Sequence, residues 1–498
     1  MSAGRVVAVI DVGSNSVRLL VTRQLTASAF EVVDEESFDA RLGEGHQGGL
    51  LSAEGMERGL AAMRLVSQVA AAYQPSAIVV AGTEALRRAS NAPRFLETVR
   101  RETGLGIHVL SGDEEAFASF LGVVNSTSLR DGCIIDIGGG SLEVIEVEGR
   151  EFRRSRSAPL GAIYATETYF RADPPTPRDV RALRKAARQQ LAGVAPNETL
   201  FGVGGAVRNL ARIIRLRRRY PLRRLHGLIL KRPEVRRLAQ ELATMDREAR
   251  RRIPGVSGAR IDTLPAAAVV IDEAMEVLGA ATLSVSGQGL REGLTWQEML
   301  GPDAVLPDVR AASIAGLARA NGVDVSAAEP VVVAANGLFE ATQPLHHLNG
   351  PARDLLLAAA RLAGIGMHID YYNRDRHAGY LVHSGDLHGF SHREIVLLGE
   401  LVRCADSGTP DFTAFKSIVE VDDARMAGML VPLLGAARAI RRRSPSPVRE
   451  TRLALKGASL TVVLRAAAPV DAEVVALERQ QRRFESALKA KLVVSARA

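Results

Sequence analysis

An internal repeat is the feature that most constrains how this chain can fold. The stretch "VIDVGSNSVRLL" at 9–20 aligns without a gap with "IIDIGGGSLEVI" at 134–145, so that Asp136 falls on Asp11. Each copy has two apolar segments around a run of Gly, Ser, Asn and Asp, which is typical of strand, tight turn and strand. Arg18 in the first copy faces Glu143 in the second. The repeat predicts two duplicated α/β halves with a cleft between them.

The rest of the chain divides by its periodicity into four predicted domains. Strands alternate with helices over 1–125 and again over 126–303, which favours layered α/β domains. Residues 304–445 read as helices, and Ser391 begins one of them as a capping box with its glutamate three residues later. Residues 446–498 follow a basic, Ser/Pro-rich linker and predict a small α+β domain, a hairpin followed by a charged helix.

Composition limits the classes of protein that remain possible. The 498 residues are 47% hydrophobic and 24% charged, typical of a globular chain of several domains. No apolar run approaches the roughly 18 residues of a membrane span, and the N-terminus lacks a signal-peptide pattern. Cys133 and Cys404 exclude a disulfide framework, so a reducing cytoplasm is the expected compartment. The net charge of +8 favours anionic partners, although most charged residues are solvated surface.

The two turns have the composition of phosphate-binding loops. Gly tolerates the positive φ that a sharp turn requires, and successive backbone N–H groups there bind phosphate oxygens. Two such loops facing each other would clamp a chain of phosphates. Asp136 ends its strand and Glu143 begins the next, and magnesium is commonly held by one or two carboxylates together with substrate phosphates. The alternative is that Asp136 caps the turn and Glu143 is a solvated strand residue.

Six segments in order extend the pattern to a family resemblance. They are "AVIDVGSNSVRLLV", "VVAGTEALRRASN", "VLSGDEEA", "IIDIGGGSLEV", "LFGVGGAVRNL" and "SGQGLREG". Together they resemble the exopolyphosphatase/guanosine pentaphosphate phosphatase family, in the superfamily of actin, sugar kinases and heat-shock chaperone ATPases, over roughly residues 5–300. The helical region is similar too. The resemblance implies two ribonuclease H-like (actin-like ATPase) α/β domains around a cleft, then an all-α degenerate HD-like domain and a small α+β domain.

The resemblance also implies roles for individual residues. Glu115 matches the catalytic base for water, whereas Glu114 beside it is expected to be structural. Asp136 and Glu143 match the positions associated with a divalent metal, Mg²⁺ or another. The phosphate-binding positions that it implies are Ser14, Asn15, Ser16, Thr83, Arg87, Gly138, Gly139, Gly140, Ser141, Gly204 and Gly205. From the residues alone, Glu115 could instead be a charge favoured at a helix N-terminus, and Arg87 a surface residue of a helix.

The chain departs from the family pattern at two places. Ala206 follows the third Gly turn where family members often carry Ser or Thr, so one hydroxyl contact is missing. The His-Asp metal motif of the HD fold would fall near 363–364, where this chain has Ala and Gly. We therefore predict no metal centre in the helical domain. Packing or surface roles are expected for its histidines, His346, His347, His368, His377, His383 and His388.

The resulting hypothesis is an exopolyphosphatase that hydrolyses the terminal phosphate of inorganic polyphosphate with Mg²⁺. The first alternative is the same chemistry on the 5′ γ-phosphate of guanosine pentaphosphate (pppGpp). A kinase-like transferase and a non-enzymatic polyanion binder are further alternatives. With only 4% aromatic residues, the chain offers few base-stacking platforms, so no specific nucleic-acid partner is expected, and no membrane partner either. The resemblance makes a homodimer the expected assembly. The arginines within 215–224 are either a solvated helix end or a basic track for long polyanions.

Overall fold

The computed structural model describes residues 4–44, 49–301, 305–443 and 445–497. The chain divides into two compact units. The first comprises the residues up to Tyr220 together with Arg224–Val309, and the second comprises Pro221–Arg223 and the residues from Arg310 onward. Each unit has its own core.

The first sheet of unit one has five strands in the order β3-β2-β1-β4-β5. Strand β1 is antiparallel to β2 and parallel to β4. The strands are β1 Val6–Val12, β2 Ser16–Thr26, β3 Ala29–Asp39, β4 Ala77–Gly82 and β5 His108–Val109. The helices of this part of the chain are α1 Ala53–Ala72, α2 Glu84–Arg88, α3 Ala92–Thr103 and α4 Gly112–Val124.

The second sheet has six strands in the order β10-β11-β9-β6-β7-β8. Its strands are β6 Gly132–Ile137, β7 Leu142–Glu148, β8 Glu151–Ala158, β9 Leu200–Val203, β10 Ile229–Lys231 and β11 Thr282–Val285. The accompanying helices are α5 Ala162–Tyr169, α6 Pro177–Leu191, α7 Gly205–Arg217, α8 Arg232–Thr244, α9 Arg247–Arg251, α10 Leu264–Val277 and α11 Leu290–Leu300, with a 3-10 turn at Gly258–Arg260.

The two sequence repeats form the same hairpin in the two sheets. In the first sheet β1 pairs with β2 so that Asp11 lies opposite Arg18, and in the second β6 pairs with β7 so that Asp136 lies opposite Glu143. The first strand of each hairpin also pairs in parallel with a later strand, β4 in one sheet and β9 in the other. The predicted duplication into two α/β halves is therefore confirmed.

Burial explains why the repeat reads as near-continuous apolar segments. Strand β1 lies in the middle of its sheet, and every residue from Val7 to Val12 is buried. A strand covered on both faces needs apolar side chains at consecutive positions rather than at alternate ones. Strand β3, at the edge, carries five acidic residues and is mostly exposed or half-buried. The hairpins are thus anchored in the two cores, and their turns are held at the sheet ends.

Helices α4 and α11 each pack against the sheet of the other half. Helix α4 follows the first sheet in sequence, yet Phe120 packs in a cluster with strands of the second sheet. Helix α11 follows the second sheet, yet Leu294 packs against β1 of the first. The two helices approach closely at Gly122 and Gly293: a Cβ on Gly122 would collide with the backbone of Gly289, the N-cap residue of α11, and a Cβ on Gly293 with that of Ala118 in α4. Because of this exchange, the N-terminal ends of α4 and α11 both reach the region between the sheets.

A buried ionic network ties α6 to α10. The carboxylates of Asp272 and Glu273 are almost completely shielded from solvent. Arg184 binds both of them, with Nη2 at 2.6 Å from Asp272 Oδ2 and Nη1 at 2.8 Å from Glu273 Oε2. Arg188 also pairs with Glu273. Buried carboxylates are tolerated only when cations and hydrogen bonds compensate their desolvation, and here the arginines do so.

The second unit has a helical part and a small sheet. Its helices are α12 Val309–Ala320, α13 Glu329–His346, α14 Gly350–Leu362, α15 Arg374–Ser384, α16 His392–Arg403, α17 Asp423–Ile440 and α18 Asp471–Leu488, with 3-10 turns at Val325–Ala328, Ile365–His368 and Thr413–Phe415. The predicted capping box is confirmed, since Ser391 Oγ accepts from the Glu394 backbone N–H and the Glu394 carboxylate from that of Ser391. These helices and the sheet confirm the predicted fold class.

The C-terminal sheet has one strand more than the predicted hairpin. Strands β12 Val448–Lys456 and β13 Ser459–Ala466 form the hairpin, and β14 Lys491–Arg497 pairs in parallel with β13. The predicted charged helix is α18, whose Leu477 and Phe484 are buried. The third strand was not predicted because "KLVVSAR" is short and follows the helix directly.

The structure also bears on the predictions made for the histidines, for a metal centre in the helical domain and for membrane spans. Of the histidines in the helical part, His346 is buried and its Nε2 lies 3.0 Å from the Phe339 carbonyl oxygen. In the part of the chain that the structure describes, no group of three or more His, Cys, Asp or Glu side chains is arranged to hold a metal ion. No helix over the same residues is long and apolar enough to span a bilayer.

Candidate active site

A cleft in the first unit brings the two repeats together. It is lined by residues from both sheets and from the N-terminal ends of several helices. The predicted residues that line it are Ser14, Asn15, Ser16, Thr83, Glu115, Asp136, Gly138, Gly139, Gly140, Ser141, Gly204 and Gly205. Two predicted residues, Arg87 and Glu143, are not among the residues that line it.

The two turns that were read as phosphate loops close in the same way. The Gly13 N–H donates to the Ser16 carbonyl oxygen at 3.1 Å, and the Gly138 N–H donates to that of Ser141 at 3.0 Å. The loops also contact each other, because a Cβ on Gly139 would lie 2.9 Å from Ser14 Cβ. Each loop thus presents backbone to the cleft, and small residues at the contact let the two loops approach.

The third Gly turn requires glycine for two separate reasons. Gly204 has φ +99°, and a Cβ there would lie 2.5 Å from the Ile137 carbonyl oxygen of the second loop. Gly205 begins α7, and the guanidinium of Arg260 occupies the space where its Cβ would stand. The turn therefore packs directly against the second loop, and the Arg260 guanidinium packs against the backbone of Gly205.

Glu115 lies in the first turn of α4, with a side chain that is only 15% exposed. Burial raises its pKa to about 7; Arg87 opposes this shift, and the nearby carboxylates Asp136 and Asp11 add to it. A carboxyl group with a pKa near 7 is a stronger base than an ordinary carboxylate, and a substantial fraction of it is still ionised at neutral pH. It can therefore act as a general base toward water. Glu114, by contrast, closes a capping box with Ser111, which agrees with its predicted structural role.

Arg87 lies beside this carboxylate rather than in the cleft wall. Its Nη1 donates to Glu115 Oε2 at 2.9 Å and to the Leu110 carbonyl oxygen at 2.7 Å. Thr83, one turn earlier, is the N-cap residue of α2 and lines the cleft. The observed contact of Arg87 is with Glu115, and its binding of phosphate stays a prediction.

Glu143 is buried and Asp136 is half-buried, and the two residues lie opposite each other on β7 and β6, at the base of the second loop. The Ser119 hydroxyl donates to Asp136 Oδ2 at 2.6 Å, and the Ser157 hydroxyl donates to Glu143 Oε1 at 3.0 Å. Burial raises the pKa of Asp136. Burial, followed by the charges of Glu115 and Asp136, raises the pKa of Glu143 to about 8. The charges of Glu115 and Asp136 thus oppose the ionisation of Glu143.

Sequence reasoning missed a group of arginines and acidic residues that also line the cleft. They are Asp11, Arg18, Glu84, Arg208, Arg260, Arg291 and Glu292. Most of them stand within segments that carried the family resemblance, such as Arg208 in "GVGGAVRNL" and Arg291 in "SGQGLREG". The sequence did contain one signal for Arg208 and Arg291, because each of them follows shortly after a glycine at the start of a helix. The arginines are far apart in sequence, so no local sequence pattern predicted that they would line the same cleft.

Among the described residues, four arginines give the cleft a positive wall, and five carboxylates, those of Asp11, Glu84, Glu115, Asp136 and Glu292, line the same cleft. Burial and the neighbouring Arg18 and Arg291 lower the pKa of Arg208. Burial, Arg18 and Arg208 lower the pKa of Arg260 to about 10. Cations that depress one another's pKa in a buried site would be stabilised by an anion between them. A phosphate group is an anion with the oxygen geometry that guanidinium groups bind best.

The arginine run at 215–224 is partly used for internal contacts. Arg217 pairs with Glu241 at 2.7 Å, and Arg218 pairs with Glu234 and donates to the Ile229 carbonyl oxygen at 2.9 Å. These contacts attach the end of α7 to α8 and β10. Two of the six arginines proposed for a basic track are therefore neutralised within the fold, and the track stays a prediction for the others.

Two α/β halves built on the same hairpin, each with a Gly-containing loop at a shared cleft, define a protein of the actin-like ATPase fold. The family follows from comparison with known proteins. The profile of the Ppx/GppA phosphatase family matches residues 20–301, and that of Ppx/GppA phosphatase domain III matches residues 309–472. The chain belongs to the Ppx/GppA phosphatase family, and the resemblance seen in the sequence is confirmed.

Solved structures agree with this assignment. The Aquifex aeolicus member of the Ppx/GppA family is 29% identical over 59% of this chain and 98% of its own length, with a TM-score of 0.53. The type II variant of the Aquifex aeolicus Ppx/GppA phosphatase is 30% identical over 59% of this chain and all of its own, with a TM-score of 0.51. An exopolyphosphatase from Cytophaga hutchinsonii is 24% identical over 60% and 98%, with a TM-score of 0.56.

Proposed function

We propose that this phosphatase hydrolyses the terminal phosphate of inorganic polyphosphate. One observation carries the choice of substrate: the cleft is lined by two phosphate loops and four arginines, and by no aromatic side chain among the described residues. A guanine base would gain from an aromatic surface to stack upon, whereas a phosphate chain needs only cations and N–H donors. Guanosine pentaphosphate is the alternative substrate, and the assay below includes it.

In this proposal the two loops and the arginines hold the terminal phosphoryl group and its neighbours. Phosphoryl transfer depends on positioning and charge neutralisation more than on covalent chemistry. Glu115 would take the proton of the attacking water, and its pKa of about 7 suits that role near neutral pH. Arg87, bound to the same carboxylate, would orient it toward the water.

The carboxylates at the base of the second loop fit a divalent cation. Asp136 and Glu143 are hard oxygen ligands, and burial raises the pKa of both, so a bound cation would stabilise their ionised forms. Two protein carboxylates are enough for Mg²⁺ when substrate phosphates and water complete its shell. When bound, the ion would neutralise charge on the phosphate oxygens.

The test is release of phosphate by the purified protein, without an acceptor, from long polyphosphate, tripolyphosphate and guanosine pentaphosphate. Each substrate is measured with Mg²⁺ and with a chelator. Glu115→Gln should lower kcat by at least about a hundredfold with little change in substrate binding, because only the base is lost. Glu114→Gln is the matched control and should stay near wild type. Activity of Glu115→Gln within a few-fold of wild type would rule out this base, and exclusive hydrolysis of guanosine pentaphosphate would rule out this substrate.

A further inference from the structure

Glu84 places a negative charge between the two phosphate loops. It is the first residue of α2, and its side chain is 14% exposed. Its carboxylate lies against the backbone of Gly140 in the second loop, in the space that a side chain at 140 would need. The Ser14 hydroxyl of the first loop lies 3.4 Å from Glu84 Oε2. A carboxylate at a phosphate loop opposes the binding of any phosphate that comes next to it.

The same carboxylate stands at the junction of two cavities. Ser14, Glu84, Gly139 and Gly140 line the cleft and also an adjoining cavity. Between the two cavities lie the contact of Ser14 with Gly139 and the Glu84 carboxylate over Gly140. A phosphate chain that extended from the cleft into the adjoining cavity would have to pass this barrier.

The arginines are distributed unequally on the two sides of the barrier. The four arginines Arg18, Arg208, Arg260 and Arg291 line the cleft, and none of them is among the described residues that line the adjoining cavity. That cavity contains Arg88, which is paired with Glu84 at 2.8 Å and lies 5.8 Å from the ring centroid of Tyr164. It also contains Glu167. More guanidinium groups are therefore available to phosphate oxygens on the cleft side than on the other side, where the arginine is already bound to a carboxylate.

We infer that Glu84 restricts hydrolysis to the end of a phosphate chain. This inference rests on the proposed function. The chain would lie along the arginines, and the phosphate between the loops must be the last one, because the path beyond it is closed by Glu84. Glu84 is thus a specificity-determining residue, and an internal phosphate is excluded because its next neighbour would have to occupy the place of the carboxylate.

The experiment compares polyphosphate with free ends and polyphosphate whose two ends are blocked as alkyl esters. Wild type, Glu84→Ala and Glu84→Gln are assayed for phosphate release and for chain lengths on gels. Glu167→Gln is the control, because it removes a charge from the adjoining cavity alone. Wild type and the control should shorten free-ended chains and leave blocked chains intact. Glu84→Ala should cleave blocked chains internally, at least about tenfold faster than wild type, and Glu84→Gln less so because its bulk remains.

Three results would overturn the inference. The first is cleavage of blocked chains by wild type, and the second is hydrolysis of free-ended chains but not of blocked chains by both Glu84 variants. Folded Glu84 variants that lose activity on both substrates would instead place Glu84 in the catalytic machinery. Failure of the proposed function looks different, because wild type would then release no phosphate from free-ended polyphosphate. Unfolding followed by the fluorescence of Trp296 confirms that each variant is folded.

Discussion

The buried carboxyl group of Glu143 should make the first unit less stable as pH rises. Its pKa is 4.5 in the unfolded chain and about 8 in the fold, so the folded state binds more protons between these values. A group with a raised pKa in the fold contributes stability that is present below pH 4.5 and is lost as pH rises toward 8. Linkage gives a loss on the order of 3 kcal/mol in the free energy of unfolding between pH 5 and pH 8 from this group.

Glu143→Gln removes the titration and keeps the shape of the side chain and its contact with Ser157. The variant should lose much less stability than wild type between pH 5 and pH 8, and at pH 8 it should be the more stable protein. Glu115 titrates in the same direction, so a smaller dependence on pH should remain. Glu148→Gln is the matched control, since Glu148 lies on the same strand with a side chain that is 72% exposed.

The assay is urea unfolding in a chelator at several pH values, followed by tryptophan fluorescence. Trp296 is the only tryptophan of the chain and is buried in α11, 4.7 Å from the ring centroid of Phe30, so it reports the first unit alone. Adding Mg²⁺ at pH 8 should stabilise wild type more than the variant, because a ligand that binds the folded state adds to its stability. Parallel curves for wild type and Glu143→Gln against pH would refute the reasoning.

Three further predictions concern other parts of the first unit. Asp136→Asn should raise the Mg²⁺ concentration needed for half-maximal activity by about tenfold, measured by titration, because one of few carboxylate ligands is lost; an unchanged titration contradicts the assignment. Gly205→Ala should displace the Arg260 guanidinium and raise KM for polyphosphate, and a KM equal to that of wild type would count against this arginine. Asp272→Ala should lower the free energy of unfolding by about 1.5–3 kcal/mol in urea followed by Trp296, because Arg184 loses one of its two carboxylate partners and keeps only Glu273; a change below about 1 kcal/mol would show that the network is dispensable.

Local pattern made much of the fold and part of the site predictable. Asp11 and Asp136 lie at matching positions in matching hairpins, and a gapless repeat is readable because buried strands and tight turns each restrict residue type. The turn at Gly204 was predictable for a similar reason, because its positive φ favours glycine and so restricts the residue type at that position. These features depend on residues that are neighbours in the chain.

The remaining features depend on residues that are distant in sequence. Arg18 and Arg260 come together only when two sheets and the 3-10 turn at Gly258–Arg260 are assembled, so nothing near either residue indicates the positive wall. The exchange of α4 and α11 between the halves depends on Gly122 and Gly293, which look like ordinary helix glycines in the sequence. The role predicted for Arg87 was phosphate binding, and only its position beside Glu115 shows the contact that it makes.

The difference between the two repeats is as informative as their identity. Both hairpins present an aspartate at the end of the first strand, and the residue opposite it is Arg18 in one sheet and Glu143 in the other. A phosphatase cleft needs cations for the phosphate oxygens and carboxylates for a metal ion, and two identical hairpins would supply an excess of one kind. A change of charge at one pair of equivalent positions gives each hairpin a different partner, while residues of both loops still line the same cleft. In the proposed function, the duplication would account for the two loops that hold phosphate, and the divergence at this position would account for a cation beside one loop and a carboxylate beside the other.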